Sequence, residues 1–247
     1  MIKLEIEALS KVGLVRDNNE DMVSLGGILL RDDQMVLPAI TLDEESLFYL
    51  LVADGMGGHQ HGERASQGLL EHLDRCFKGG YIKAETVADD ISTQVRAYSD
   101  ELNWQARAEG QYRPMGCTLT GMVWAYGKAL LVNAGDSRSY RYRDGILRQI
   151  TQDDTMRGIT GNPNESKALL NCVGGGCQCE LMVVDFTERL LPGDILLICS
   201  DGLTDMLGDE EIELVLDESP QSVDELYKAA CQRGGVDNVS IIVAKIL

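Results

Sequence analysis

The chain has 247 residues, 44% apolar and 25% charged, the composition of an ordinary globular domain able to bury a sizeable core. Its formal net charge of −18, from 40 acidic against 22 basic residues, argues against a protein that grips a phosphate backbone through a basic face, so no nucleic-acid partner is expected. Seven cysteines without a C-x-x-C pair read as free thiols in a reducing compartment, and "CQC" at Cys177–Cys179 offers too few ligands for a metal.

From the N-terminus, Ile2, Leu4, Ile6 and Ala8 alternate with Lys3, Glu5 and Glu7, the two-residue period of a strand. This opening lacks a signal-peptide core, and no apolar stretch reaches membrane-spanning length, so a cytoplasmic protein with no membrane partner is expected. Residues 26–46 carry no clear period and read as a surface hairpin. "LFYLLVA", 47–53, is a continuous apolar run of the kind that forms a strand buried on both faces. Ala65, Leu69, Leu73 and Phe77 then recur at helical spacing up to Gly79–Gly80, and Val87, Ile91, Val95, Tyr98 and Leu102 mark a second, longer helix.

"CTLTGMVWAY" and "KALLVNAG" predict strands either side of Gly127, and "SRSYRYR" and "ILRQI" form a hairpin turned by Asp144–Gly145. Residues 151–180 are irregular and Gly-rich. "LMVVDF" and "DILLICS" read as strands, 209–216 and 222–233 as helices, and "NVSIIVAKI" as a closing strand. Strands in hairpin order, with a helix pair early and another late, predict an α+β fold of packed antiparallel sheets with helices outside. No linker divides the chain, so 1–247 is expected to be a single domain.

Two apolar strands end on Asp-Gly, at Asp54–Gly55 and Asp201–Gly202. Further acids stand at element ends in "NNED" (Glu20, Asp21), "AGDSR" (Asp136) and "GGVDNVS" (Asp237). A lone Asp-Gly is usually a turn. Several carboxylates against buried strands are harder to explain that way, because two of them about 5 Å apart repel by roughly 3 kcal/mol at an effective dielectric of 20. Divalent cations remove that conflict, and an all-oxygen donor set suits Mg²⁺ or Mn²⁺ better than zinc. Neither an EF-hand loop nor G-x-x-x-x-G-K-[ST], G-x-G-x-x-G or H-E-x-x-H occurs.

"GLVRDNNED", "VADGMGGH", "GCTLTG", "NAGDSR", "CSDGLTDML" and "DNVSIIV" resemble, in order and rough spacing, the metal-dependent serine/threonine protein phosphatases of the PPM or type 2C family, bacterial type. The resemblance covers about residues 10–245. It implies an αββα four-layer architecture, a β-sandwich of two antiparallel sheets flanked by helix pairs, with a two-metal site (Mn²⁺ or Mg²⁺) at one edge. It also implies that Asp54 bridges both metals, that the Gly55 carbonyl binds one, and that Asp201 and Asp237 hold the other. Glu20 and Asp21 act through water or directly, and Asp136 and Asp205, with Asp201, match a looser third site of bacterial relatives. Arg16 matches the arginine that holds the substrate phosphate.

The implied reaction is hydrolysis of phosphoserine and phosphothreonine in proteins, with a water bridged by the two metals attacking phosphorus in line; such a pair of ions supplies both nucleophile and phosphate clamp. Asp54, Asp237 and Arg16 would be its catalytic residues. The partners implied are phosphorylated proteins, a cognate protein kinase or its substrates. Two other readings stand beside it: a non-catalytic relative that binds phosphoproteins, and a two-metal hydrolase of a small phosphodiester or nucleotide. The first conflicts with acids at every metal position.

The chain also departs from relatives. Met56 stands where eukaryotic members carry a histidine after Asp-Gly, leaving His59 as general acid or as a hydrogen bonder that orients the glycine loop. The flap segment 151–176 looks short and lacks the usual Asp-His-Ser. Arg138 is expected to pair with a carboxylate, Thr118 and Thr120 to be structural, and His61 and His72 to face solvent.

Overall fold

The computed structural model describes residues 1–58, 60–110, 114–219 and 222–247. In chain order the elements are β1 (Ile2–Lys11), β2 (Met22–Leu25), β3 (Ile28–Leu30), β4 (Asp33–Leu42), β5 (Leu47–Ala53), β6 (Gly55–Met56), α1 (Gln60–Lys78) and α2 (Val87–Ala108). They continue with β7 (Gly116–Cys117), β8 (Leu119–Ala125), β9 (Lys128–Ala134), β10 (Arg138–Arg143), β11 (Ile146–Gln149), α3 (Met156–Thr160), β12 (Val173–Gly174) and β13 (Met182–Asp185). The last are β14 (Ile195–Cys199), α4 (Asp201–Thr204), α5 (Asp209–Glu218), α6 (Val223–Gln232) and β15 (Val239–Ile246).

Two six-stranded antiparallel sheets form the body, ordered β11-β10-β14-β15-β1-β4 and β13-β9-β8-β5-β2-β3, with a three-stranded ribbon β12-β7-β6 beside them. The expected four-layer architecture follows from how the strands divide their side chains. On β5, Leu50 and Val52 join the core between the sheets, while Tyr49, Leu51 and Ala53 pack under α1 and α2 with Leu69, Leu73, Ile91 and Val95. On β14, Leu196 and Ile198 face the opposite sheet, while Ile195 and Leu197 pack with Ile212, Leu216 and Leu226 of α5 and α6. A strand buried on both faces must be apolar at every position, so these runs are continuous rather than alternating. Replacing Leu50 with Ala would cost about 2–5 kcal/mol.

The segment 26–46 is a correction to the surface-hairpin reading. β3 pairs with β2 in one sheet and β4 pairs with β1 in the other, so this stretch links the two layers. β4 is an edge strand that reaches solvent, and its pairing shifts between Leu4 and Ile6, opposite the stretch carrying Pro38. Proline lacks a ladder donor and is confined to such edges and bulges, which hid the strand from its pattern. Among the described residues no helix is long and apolar enough to cross a membrane.

Candidate active site

Strand ends carry the acids to one place. Asp54 leaves β5, Asp136 lies between β9 and β10, Asp201 opens α4 after β14, Asp237 precedes β15, and Glu20 precedes β2. All five line a single cavity of about 380 Å³, together with Gly55, Arg16 and Asn18. Asp54, Asp201 and Asp237 therefore face one common space.

The glycine after each aspartate has a steric reason. A Cβ on Gly55 would come within 2.3 Å of the Gly62 carbonyl oxygen and 2.5 Å of that of Glu20. A Cβ on Gly202 would come within 1.9 Å of the Asn238 carbonyl oxygen. In each Asp-Gly pair the aspartate reaches the cavity, and the missing side chain lets a neighbouring acid-bearing segment lie flush against it.

Several residues outside the acidic motifs hold this arrangement. The Asp54 amide donates to Thr118 Oγ1 at 3.0 Å while the Thr118 amide donates to the Asp54 carbonyl at 2.9 Å. Thr118, between β7 and β8, thus positions Asp54. Asn238 accepts from the Glu20 amide through Oδ1 and donates to the Asn18 carbonyl through Nδ2, both at 2.8 Å, tying segment 18–20 to segment 237–238. Arg31 Nε donates to the Asp21 carbonyl at 2.9 Å, and Ser66 Oγ donates to the Glu20 carbonyl at 2.6 Å. Asn238 lies within the quoted DNVSIIV motif, but nothing in the spacing of Arg31 or Ser66 signals a role.

Asp21 is buried beside the cavity without lining it and accepts from Ser200 Oγ at 2.7 Å. Asp205 also stands outside the lining, at the end of α4, where Lys167 Nζ approaches its Oδ1 at 2.5 Å. Arg16 is more than half exposed at the rim and donates from Nη2 to Asp237 Oδ2 at 2.6 Å. His59 lies outside the described residues. Arg138 pairs as expected with a carboxylate, reaching Asp153 through Nε and Nη2 at 2.7–3.1 Å. His72 does not face solvent freely. It is partly buried and stacks on Tyr98 at 5.3 Å, because the helix stripe that carries it turns toward α2.

The flap segment folds against the same rim. Thr155 bridges to Leu169, the Leu170 amide donates to the Asp154 carbonyl at 2.8 Å, and Leu169 reaches the cavity. Thr155 Oγ1 caps α3 by accepting from the Gly158 amide.

Burial and mutual repulsion set the electrostatics. Asp21 is pushed up to about 7, chiefly by burial and further by the charges of Asp201 and Asp237, with hydroxyls of Ser200 and Ser240 opposing. Burial also raises Asp136 to about 7, with Asp201 and Asp153 adding to it. Asp201 rises to about 6 through burial and then the charges of Asp205 and Asp237. Asp54 lies well above the usual carboxylate range, from burial first and then Asp21, Asp201, Asp136 and Asp237.

Among the described residues no three His, Cys, Asp or Glu side chains are already closed into a cation cage. The carboxylates instead share one field across the cavity. An all-oxygen set whose members resist ionising together fits hard divalent cations, which would relieve that repulsion.

A family model for protein phosphatase 2C matches residues 27–238. Serine/threonine protein phosphatase PstP of Mycobacterium tuberculosis is 34% identical over 261 residues, covering 99% of this chain but 45% of that protein. The chain thus spans under half the length of this relative. Serine/threonine phosphatase stp of Listeria monocytogenes is 29% identical over 253 residues, covering 94% of this chain and 92% of stp. The crystal structure of the PstP catalytic domain in complex with two manganese ions superposes with a TM-score of 0.74 at 32% identity, covering 100% of both chains.

Proposed function

Because the chain belongs to the protein phosphatase 2C family, we propose that residues 1–247 act as one catalytic unit that hydrolyses phosphoserine and phosphothreonine in proteins with Mn²⁺ or Mg²⁺. The observation that carries this reading is the meeting of Asp54, Asp201, Asp237 and Arg16 around one cavity.

Asp54, the Gly55 carbonyl, Asp201 and Asp237 would hold two cations, with Glu20 and Asp21 supporting them. Asp136, Asp201 and Asp205 would hold a third. Bound there, the cations supply Lewis acidity that activates water and draws charge from the phosphoryl group. Thr118 fixes the Asp54 backbone, so the carboxylate meets its ligand without reorganising. Arg16, which donates to Asp237 at the rim, would place its planar donors on the phosphoryl oxygens. Leu169 carries the flap segment to the cavity wall. The proposed partners are a cognate protein kinase and its substrates. Seven cysteines without a disulfide support a reducing, cytoplasmic setting.

The test is turnover of p-nitrophenyl phosphate and of a phosphothreonine peptide with Mn²⁺ and with EDTA. Both should be hydrolysed only with the metal. Absence of metal-dependent turnover would overturn the proposal, and faster cleavage of diesters than of monoesters would reassign the substrate.

A further inference from the structure

Away from the acidic cavity, arginines gather at the edge of the sandwich. Arg141 of β10 and Arg148 of β11 stand directly opposite in an antiparallel pair. Like charges in that position repel. Two residues before Arg141, Ser139 hydrogen-bonds Thr120 of the other sheet at 3.0 Å, so this face of β10 looks inward between the layers. Here β11 is the outermost strand of its sheet, and β13 that of the other.

A third arginine closes the group. Arg189 ends the single 3₁₀ turn Thr187–Arg189 that follows β13, and its guanidinium lies 5.4 Å from the centre of the Phe186 ring. Its carbonyl accepts from Arg141 Nη1 at 3.2 Å and from Arg143 Nη2 at 2.9 Å, which joins the turn to β10. Arg141, Arg148 and Arg189 line a cavity of about 290 Å³ with Phe186 and Ile150, and no carboxylate is among its lining residues.

Among the described residues none of these three arginines has an ion-pair partner. One carboxylate beside this edge, Asp194, is taken by Arg143, which reaches it at 2.5 and 2.7 Å. Arg141 Nε is buried with no acceptor among the described residues. A buried guanidinium donor without an acceptor is costly. In a chain of net charge −18, three unpaired arginines around one hollow are the reverse of what the composition favours.

We infer that this hollow is a second anion site that takes the phosphoryl group of a phosphorylated serine or threonine in a protein segment. A phosphoryl dianion supplies acceptors to several guanidinium forks at once and removes the Arg141–Arg148 repulsion. Phe186 and Ile150 offer apolar walls to the short stem of the phosphorylated residue. The overall negative charge opposes long polyanions and acidic surfaces, leaving a single phosphoryl group on a short stretch of chain as the fitting occupant. The two cavities share no lining residue. A multiply phosphorylated substrate can therefore hold one phosphoryl group here while another enters the acidic cavity. This last step rests on the phosphatase reading; the binding itself does not.

The test uses the full chain in EDTA, where no turnover occurs, and follows the arginine Nε–Hε signals by NMR. A phosphothreonine peptide should shift the Arg141 signal, and the same peptide without phosphate should not. Arg148→Gln and Arg189→Gln should each weaken that binding about tenfold. In the metal-loaded protein the two substitutions should raise KM for a doubly phosphorylated peptide while leaving kcat/KM for p-nitrophenyl phosphate unchanged. Arg148→Gln should not lower the melting temperature, since it relieves a like-charge pair.

An Arg141 signal unmoved by the phosphopeptide, or moved equally by the unphosphorylated one, would overturn the inference. A response to inorganic phosphate alone would show an adventitious ion only and overturn it too. Phosphopeptide shifts without metal-dependent turnover would instead sink the phosphatase reading and leave this site standing.

Discussion

Arg16 and Asp237, 221 positions apart in sequence, meet at 2.6 Å on the rim of the acidic cavity. The guanidinium thus occupies the carboxylate that the resemblance assigns to a cation. Cation and substrate phosphate would separate this pair together, one taking each partner.

Arg16→Ala should accordingly raise KM for a phosphothreonine peptide by about tenfold or more, the scale of one lost charge-assisted contact, with a much smaller change in kcat. Steady-state kinetics in saturating Mn²⁺ would show it. An unchanged KM would remove Arg16 from the phosphate site.

Asp54→Asn should lower turnover by about a thousandfold or more, since the residue feels the charges of Asp21, Asp201, Asp136 and Asp237. Its stability should move the other way. Without metal, loss of one buried charge relieves repulsion, so the melting temperature in EDTA should hold or rise. The rise on adding Mn²⁺ should shrink relative to the parent chain. A variant that melts much lower in EDTA would mean that Asp54 serves the fold instead.

The raised carboxyls also fix the direction of the pH dependence. Asp21 and Asp136 stand at about 7 and Asp201 at about 6, above the ordinary aspartate value of 3.8. A group raised on folding contributes stability below its unfolded pKa and loses it as pH climbs through the folded one. Metal-free protein should therefore lose melting temperature between about pH 4 and 7. His72, which burial pushes down, works the other way, so the informative comparison is with and without Mn²⁺. Saturating Mn²⁺ should cancel or reverse the fall, because cations and protons compete for the same oxygens. A flat profile in EDTA that Mn²⁺ leaves unchanged would count against a shared carboxylate site.

Lys167 brings an ammonium from the flap onto Asp205. It supplies positive charge where a third cation would sit, so Lys167→Ala should tighten cation binding there. Equilibrium dialysis at limiting Mn²⁺ should find more metal per chain in the variant than in the parent. Equal occupancy would show that the lysine does not compete.

Residues whose environment leaves a local mark were legible in the sequence. Strands buried on both faces print continuous apolar runs, and carboxylates breaking those runs at Asp54 and Asp201 expose the site. β4 was missed because an edge strand with Pro38 and a solvent face keeps no regular period. Thr118, Asn238 and Arg31 were missed as positioning groups because their work is done through backbone contacts to distant segments. Such contacts depend on how layers meet, and no spacing along the chain encodes them. The pairing of Arg141 with Arg148 is invisible for a similar reason, since it arises from the hairpin register.

β5, β14 and β15 are each covered by a helix layer on one side and the opposite sheet on the other. The acids at their tips are therefore mounted on the part of the molecule that opens last. The backbone that carries these carboxylates would therefore owe its rigidity to the layers and not to a bound cation, like a socket cut to size before anything is plugged in.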